Sequence, residues 1–515
     1  MKKLNYILLV IVLFTITSSC KKFDSLNTNP DSPTSVTPGM LATGVLRDNF
    51  KFWNPNPTDF ATGNLWLHHT ANANGTPNPS EYFYSYAPSV GFGPYQYLTN
   101  LKRMVEFAKG TPAESSYQGL ALFMKAYFGF TMSLNLGDIP YSEAGKVEDG
   151  ITKPKYDKQA DVFSAVLADL KAAEILFAAG KNFDGDIMLG GDPAKWRRLC
   201  NAMQLKVLQT MSKKIAPAQI SRFAEIVASN NLMTGNTDNF KLSYSSDAGT
   251  YHPFWSGENQ RNYVVVSKLV IDNLKALHDR RLFYFADPAP FMLSAQGGSK
   301  LENDSTAYIG ALTSLDAGAI AISTQAGKYS YINLRYTKDK AGDPMLIFSY
   351  SEQCFIIAEA IEQGWVPGGP AAAQVYYQNG VAKILEYYMD LGITANHGMP
   401  ITQAYIDNYF TAAAVYKVAG SKTDRLRQIW TQRWLLDFFQ GNSFNNYPQF
   451  LRTGYPVFPL DPATNMNPDD KTLYPKRWKY DVSEQKTNPV NYKQAIDSQY
   501  KGYDGINGIP WYLQP

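Results

Sequence analysis

The stretch TPAESSYQGLALFMKAYFGFTMSLNLGDIPYSEA, residues 111–144, decides the fold class of this chain. Thr111-Pro112-Ala113-Glu114 has the capping-box pattern of a helix start, with proline at the first helical position. Apolar side chains then recur at helical spacing, at Leu120, Phe123, Tyr127, Phe130 and Leu134. This periodicity predicts a long helix from Thr111 to about Leu134. We expect Gly137 and Pro140 to end it, because glycine accepts a left-handed turn and proline prevents the helix from resuming.

Four further stretches carry the start and stop signals of amphipathic helices. They begin near Asp157, at Asp192-Pro193, at Ser351 and at Thr423, and they end at Gly180, after Val207, at Gln363 and at Phe439, the last closed by Gly441. Between them lie stretches with little periodicity that are rich in Asn, Gly, Pro, Ser and Tyr: residues 50–100, 235–263, 285–345 and 440–515. Loops of that length are usually functional or disordered, and the aromatic content argues against disorder. The pattern predicts a mainly α protein in which packed helix pairs carry long, aromatic-rich loops.

The N-terminal residues have the composition of a bacterial lipoprotein signal. Lys2 and Lys3 precede an apolar run from Tyr6 to Ile16 that is too short to span a membrane, and small residues follow up to Cys20. We therefore expect a signal peptide over residues 1–19, with Cys20 as the lipidated first residue of the mature chain, carrying palmitate or a similar acyl chain. The alternative is an ordinary secreted protein whose signal ends at a chance cysteine.

The chain beyond Cys20 divides into a short tether and one large body. Residues 20–40 are polar and contain many Asn, Pro, Ser and Thr residues, which predicts a lipidated tether. No linker-like segment follows, so we expect residues 41–515 to form a single domain. Cys200 and Cys354 are the remaining cysteines, which allows at most one disulfide and leaves open whether they pair.

Charge and motif content exclude several function classes. The 48 Lys and Arg residues nearly balance the 45 Asp and Glu residues without a basic block, so nucleic-acid binding is not expected. Among five histidines only His68 and His69 lie close together, and no zinc-site spacing accompanies them, so neither a metal nor a cofactor is expected. Common catalytic motifs are also missing, and we predict a protein that is not an enzyme. A surface glycoside hydrolase stays open as an alternative, because it needs only two suitably placed carboxylates.

Aromatic content is the unusual quantity, with 34 tyrosines and 9 tryptophans. Sugar rings stack on flat aromatic faces, while neighbouring polar side chains meet the hydroxyl groups. Two loop regions combine both residue types, Asn64–Tyr86 and Tyr251–Tyr263. The ligand-binding candidates in them are Trp66, His69, Tyr82, Tyr84, Trp255, Asn259, Arg261 and Tyr263. The alternative for each aromatic is that it packs its own loop against the helices. Weaker candidates, which a partner interface would also explain, are Phe52, Trp53, Trp478 and Tyr480.

Four short segments together resemble one known family. Leu136–Ala144 is similar to the "GDIPYSEA" segment of SusD/RagB nutrient-binding lipoproteins, and Asp192–Arg198 resembles their "DPAKW" helix start. Ser351–Trp365 resembles their "SEAEFLLAEAAERGW" helix. Ile429–Trp434, with Arg452–Pro456, resembles their C-terminal "QKW…RRTGYP" region. The four segments occur in family order and span nearly the whole mature chain.

This resemblance implies both a fold and a function. It implies a mainly α fold of tetratricopeptide-like helix pairs, in a lipoprotein anchored in the outer membrane and exposed at the cell surface. The implied partner is a SusC-like TonB-dependent outer-membrane transporter, and the implied ligand is a glycan, an oligo- or polysaccharide, bound without catalysis. The same scaffold binding a non-sugar nutrient such as a peptide is the alternative.

Overall fold

The computed structural model describes residues 36–50, 57–75, 89–440 and 443–515. Several predictions fall outside these ranges: the signal peptide, Cys20, most of the tether, Phe52, Trp53, Tyr82, Tyr84 and Gly441. The first described helix begins at Pro38, within the segment predicted to be a tether.

Helices dominate the described ranges. They are α1 Pro38–Phe50, α2 Pro57–Trp66, α3 Leu98–Ala108, α4 Glu114–Leu136, α5 Gln159–Ala179, α6 Pro193–Thr210, α7 Pro217–Ala228, α8 Glu258–Arg261, α9 Lys268–Ala276, α10 Arg281–Phe285, α11 Pro290–Leu293, α12 Ala317–Gln325, α13 Arg335–Lys338, α14 Tyr350–Glu362, α15 Gly369–Asp390, α16 Gln403–Asp407, α17 Lys422–Leu436, α18 Ser443–Thr453, α19 Val482–Thr487 and α20 Pro489–Tyr500. The strands are β1 Thr70–Asn72, β2 Ser89–Val90, β3 Phe240–Leu242, β4 Val264–Val266, β5 Met345–Phe348 and β6 Lys479–Tyr480. They form three two-stranded ladders, β1–β4 and β3–β5 antiparallel and β2–β6 parallel. The mainly α prediction is confirmed.

Pairs of long helices form the framework. α4 packs along α5, α5 along α6, and α14 along α15 and α17. Gly380 allows the α14–α15 approach, because a Cβ there would lie 2.7 Å from the Phe355 ring. Within the described ranges, none of these helices is both long and apolar enough to cross a bilayer.

Local capping signals explain why most of the predicted helices begin where they do. The Asp192 carboxylate accepts a hydrogen bond from the Ala194 N–H at 2.8 Å, at the predicted start of α6. Ser349 caps α14 and Ser421 caps α17 in the same way, each two residues before the predicted start. α5 begins at Gln159, two residues after the predicted Asp157.

The predicted capping box at Thr111 is wrong. α4 begins at Glu114, because the Thr111 hydroxyl donates to the Ala108 carbonyl at 2.7 Å and the Glu114 carboxylate accepts from the Gly110 N–H at 2.7 Å. Thr111, Pro112 and Ala113 therefore belong to the turn between α3 and α4, and Glu114 is the first residue of α4. At its other end the helix stops as expected, at Gly137, whose φ is +100°.

The C-terminal stretch, residues 440–515, was predicted as a long loop, and it folds back on the helix pair α4 and α5. The Trp478 N–H donates to the Asn135 carbonyl at 2.8 Å, and the Tyr500 hydroxyl donates to the Leu136 carbonyl at 2.8 Å. The Tyr512 N–H donates to Oε1 of Gln159 at 3.2 Å. One apolar core therefore extends from α1 to Leu513. Cys200 and Cys354 lie buried in this core as free thiols.

Candidate functional site

The two loop regions singled out by their aromatic content meet in the folded chain. β1 from the first region pairs with β4, which directly follows the second, so that Thr70 lies opposite Val266 and Asn72 opposite Val264. The Ala73 N–H extends the ladder by donating to the Tyr263 carbonyl at 2.8 Å. Main-chain hydrogen bonds therefore hold residues distant in sequence side by side.

A cleft of about 190 Å³ lies against this ladder. Its lining consists of Ala61, Thr62, Leu65, Asn72, Asn74, Gln260, Tyr263 and Val264. The amides of Asn74 and Gln260 each carry a donor and an acceptor. Asn72 is 6% exposed, and its Oδ1 accepts the Asn74 N–H at 2.8 Å, while Tyr263 is 48% exposed. Because ligand pockets more often measure about 300–1,000 Å³, this one suits a single unit of a longer ligand.

An aromatic platform, formed by Tyr251 and Trp255, lies in the second loop region, shortly before Gln260 and Tyr263 of the cleft lining. The two ring centroids lie 4.6 Å apart with planes inclined at 53°, and both side chains are half-buried. Two main-chain bonds tie the platform to α13 and to the turn after it. The Ser256 N–H donates to the Thr337 carbonyl of α13 at 3.0 Å, and the His252 N–H donates to the Lys340 carbonyl at 2.7 Å. Ser256 has a φ of +58°, so the chain turns sharply just after Trp255.

Arg261 holds the loop between the platform and the cleft. Its Nε donates to the Ile332 carbonyl at 2.9 Å, and its guanidinium pairs with the Asp287 carboxylate. Glu258, at the start of the same short helix, pairs with Lys338 at 2.7 Å. Asn259, between these two anchors, is exposed to solvent. Of these predicted site residues, Asn259 faces solvent and Arg261 positions its loop.

Trp66 and His69 do not face the cleft, contrary to the sequence-based prediction. Trp66 is 1% exposed and stacks on Trp478 at 4.9 Å, while His69 is fully buried and donates from Nε2 to the Trp434 carbonyl at 2.9 Å. Burial lowers the pKa of His69 to about 3, against the opposing effect of that backbone bond, so the ring is neutral at pH 7. Both side chains anchor the end of α2 to the C-terminal half. In this conformation neither offers a surface to a ligand.

A wider cleft of about 780 Å³ is lined in part by His397 and by Asp287, the ion-pair partner of Arg261. The His397 ring donates from Nε2 to Asp287 at 2.9 Å and from Nδ1 to Glu302 at 3.1 Å. Burial opposes the ring charge, but these two hydrogen bonds outweigh it and raise the pKa of His397 above its usual value. Asp287 thus joins His397 to Arg261.

Sequence reasoning missed Lys340 and Thr62, and it included Tyr251 only as the first residue of the second loop region. Lys340 lies far from the platform in sequence, so no local pattern links it to Trp255. Asn72, Asn74 and Gln260 fall inside the predicted regions but carried no individual signal. Across the described residues, no cluster of three or more His, Cys, Asp or Glu side chains is arranged to hold a metal ion.

Comparisons with known proteins point to one family. The SusD-like family model, described as starch-binding and associating with the outer membrane, matches residues 30–481. A solved SusD homolog from Bacteroides fragilis is 36% identical with a TM-score of 0.86, covering 93% of this chain and 100% of that one. A putative outer membrane protein from Bacteroides vulgatus, described as probably involved in nutrient binding, is 27% identical with a TM-score of 0.81 and the same coverage. A chitin-binding SusD homolog from Flavobacterium johnsoniae shares the fold at 18% identity, with a TM-score of 0.68 and coverage of 92% and 98%. No curated protein sequence matches the chain.

Proposed function

The chain belongs to the SusD-like family of starch-binding proteins that associate with the outer membrane, and we propose that it binds a glycan at the cell surface and delivers it to a partner TonB-dependent transporter. The observation that carries the binding proposal is the β1–β4 ladder, which places an amide-lined cleft and the exposed Tyr263 ring beside each other. Sugar recognition needs this combination of a flat apolar face and convergent hydrogen-bonding groups.

The charges around the cleft favour binding over hydrolysis. A glycosidase needs two carboxyl groups across the scissile bond. As far as the described residues extend, the cleft lining includes no carboxylate. The nearby acids are engaged elsewhere, Glu258 with Lys338 and Asp287 with Arg261 and His397. We therefore propose a binding protein without catalytic activity.

Calorimetric titration with a panel of oligosaccharides and peptides tests the binding proposal. We expect a glycan to bind, and Tyr263→Ala to weaken that binding roughly three- to tenfold through lost stacking. Tyr503→Ala is the matched control, because Tyr503 is similarly exposed, at 62%, but bonds to Asp469 in the C-terminal stretch. An equal loss of glycan affinity in Tyr263→Ala and Tyr503→Ala would show that the cleft is not the glycan-binding site. Binding of peptides alone would identify the alternative nutrient class, and release of reducing ends by the purified protein would identify a hydrolase.

Anchoring at Cys20 and delivery to a transporter are the parts of the proposal that rest on the N-terminal sequence and on the family. We expect protease added to intact cells to digest the wild-type protein, and Cys20→Ala to move it out of the membrane fraction. Purification from mild detergent should recover a SusC-like transporter with the wild-type protein. Full protection of the protein in intact cells would contradict surface exposure.

A further inference from the structure

Lys340 occupies a defined position beside the aromatic platform. Its Nζ lies 5.1 Å from the ring centroid of Tyr251 and 5.3 Å from that of Trp255, within the range of a cation–π contact with both. The Lys340 carbonyl accepts the His252 N–H at 2.7 Å, which ties its backbone to the segment that carries the platform. A backbone hydrogen bond and the contact of the ammonium group with the two rings therefore hold Lys340 beside the platform.

The charge of Lys340 is not neutralised by a carboxylate, in contrast to its neighbours. Lys338 pairs with Glu258 at 2.7 Å, Arg335 pairs with Asp343 at 2.5 Å, and Arg261 pairs with Asp287. Lys340 is exposed and makes no ion pair with any residue that the structure describes. The adjacent Asp339 is also exposed, but its Oδ1 accepts the Ala341 N–H at 3.0 Å.

We infer that Lys340 makes this surface selective for anionic glycans, whose units carry carboxylate or sulfate groups. This inference rests on the proposed function, because it requires that a sugar stacks on Tyr251 or Trp255. A sugar stacked there brings its acidic substituent to the ammonium group, and the two opposite charges form a hydrogen-bonded ion pair. A neutral sugar can accept a hydrogen bond from the ammonium group through a hydroxyl, but it offers no counter-charge. A neutral sugar also displaces the ammonium group from the rings without replacing that contact.

Titration of the full mature chain with matched acidic and neutral ligands tests the inference. The probes are tetragalacturonate, its methyl ester, a κ-carrageenan tetrasaccharide that carries sulfate and no carboxylate, maltotetraose and tetra-N-acetylchitotetraose. We expect an acidic probe to bind roughly tenfold more tightly than the neutral ones at low salt. The preference should shrink as salt is added, because an exposed ion pair is screened. The carboxylate and sulfate probes show which anion the surface prefers.

Lys340→Met should bring the acidic probe to the affinity of its methyl ester while leaving the methyl ester unchanged or tighter. Lys328→Met is the matched control, because Lys328 is exposed and, in the described structure, has no ion pair or ring contact. Circular dichroism of each variant checks that the fold is retained. The inference is overturned if the wild-type protein binds tetragalacturonate and its methyl ester with equal affinity. It is also overturned if Lys340→Met loses the same affinity for both ligands. If either of these results is found but Trp255→Ala weakens the binding of tetragalacturonate and of its methyl ester, the inference about Lys340 fails while the proposed function still stands. If no probe glycan binds, the proposed function fails and the inference fails with it.

Discussion

His397 is held between two carboxylates that come from different loops. Asp287 and Glu302 both accept hydrogen bonds from its ring, Asp287 also faces Arg261, and Asn333 Nδ2 lies 3.5 Å from His397 Nε2. Only the protonated ring donates to both carboxylates at once. The ring charge therefore fastens the 287–302 segment to the loop that follows α15.

Replacing His397 with Gln should make stability less dependent on pH near neutrality. The pKa of His397 in the folded chain is raised, so its contribution is fully present below the unfolded value of about 6.5 and is lost as pH rises through the folded value. We expect the difference in melting temperature between wild type and His397→Gln to be largest below about pH 6.5 and to shrink at higher pH. Melting curves over pH 5–9 measure this difference. A difference that is constant with pH would contradict the role of the ring charge.

Gly137 ends α4 at a point where no side chain fits. Its φ is +100°, and a Cβ there would lie 2.1 Å from Gln499 Oε1 and 2.3 Å from the Tyr500 hydroxyl. Both atoms are engaged, the first by the Asp138 N–H at 2.7 Å and the second with the Leu136 carbonyl at 2.8 Å. The glycine therefore serves the docking of the C-terminal helix α20 as well as the turn.

Gly137→Ala should lower the free energy of unfolding by about 3 kcal/mol, through backbone strain and the loss of these two hydrogen bonds. Gly150→Ala is the matched control, since Gly150 also has a positive φ, +82°, but a Cβ there meets no atom within 4 Å. We expect it to cost only about 1–2 kcal/mol. Urea denaturation measures both values, and similar costs would show that the clash with α20 does not matter.

Glu359 on α14 joins three other helices through one carboxylate. Arg452 on α18 donates to both of its oxygens, at 2.6 and 2.9 Å, and Trp430 on α17 and Gln209 on α6 each donate at 2.9 Å. Burial disfavours the charged form, but Arg452 outweighs it and holds the pKa of Glu359 below its usual range. Glu359, Trp430 and Arg452 all belong to the segments that resemble the family, so those motifs carry the packing of the scaffold.

Glu359→Gln should destabilise the protein by about 3–5 kcal/mol, because it leaves the buried Arg452 without its counter-charge. Asp497→Asn is the control, because Asp497 forms an exposed ion pair with Lys493 on α20. We expect it to lower the free energy of unfolding by less than about 1 kcal/mol. Chemical denaturation of the two variants compares them directly. A cost for Glu359→Gln as small as that of the control would rule out this network as a support of the helix packing.

The elements that the sequence predicts are those with local signals. α6 has Asp192 at its N-cap, and a polar cap followed by an apolar stripe needs no tertiary information. α15 was missed because Gly368 caps it without a side-chain bond and Gly380 interrupts its apolar pattern. It packs along α14, and the backbone of Gly380 lies close to the Phe355 ring of that helix.

The candidate site follows the same division between local and remote signals. Its loops were found from composition, but which aromatic side chains face solvent depends on the tertiary structure. Trp66 and His69, on either side of the turn at His68 with its φ of +52°, are both buried. The strands β1 and β4 have three residues each, too few for an alternating pattern, and they exist only because they pair.

The described chain behaves as one packed body, and we propose that residues 41–515 form a single domain. The last fifteen residues pack against the helix pair α4 and α5 and against the rest of the C-terminal stretch. The Trp511 and Phe163 ring centroids lie 6.0 Å apart, and Asp504 pairs with the buried Arg477 at 2.5 Å. The beginning and the end of the folded chain therefore stabilise each other.

A chain that ends at Tyr500 should lose at least about 3 kcal/mol of stability, because Arg477 loses the Asp504 carboxylate and the core loses the Ile506 and Tyr512 side chains. A chain that ends at Leu513 keeps Asp504 and Tyr512, and we expect it to melt close to the wild type. Calorimetry should show one transition in all three proteins, shifted to lower temperature only in the shorter one. Two separate transitions in the wild type would contradict the single domain.

The β1–β4 ladder has a consequence for how such a protein changes over generations. Its bonds run between main-chain groups, so Asn72, Asn74, Gln260 and Tyr263 can be exchanged without breaking the connection that brings them together. The helix network around Glu359 has no such freedom, since each partner there is a specific side chain. Under the proposed function, mutations that change the bound glycan and mutations that unfold the protein therefore fall on different residues, so ligand preference can change in a lineage that keeps the same scaffold.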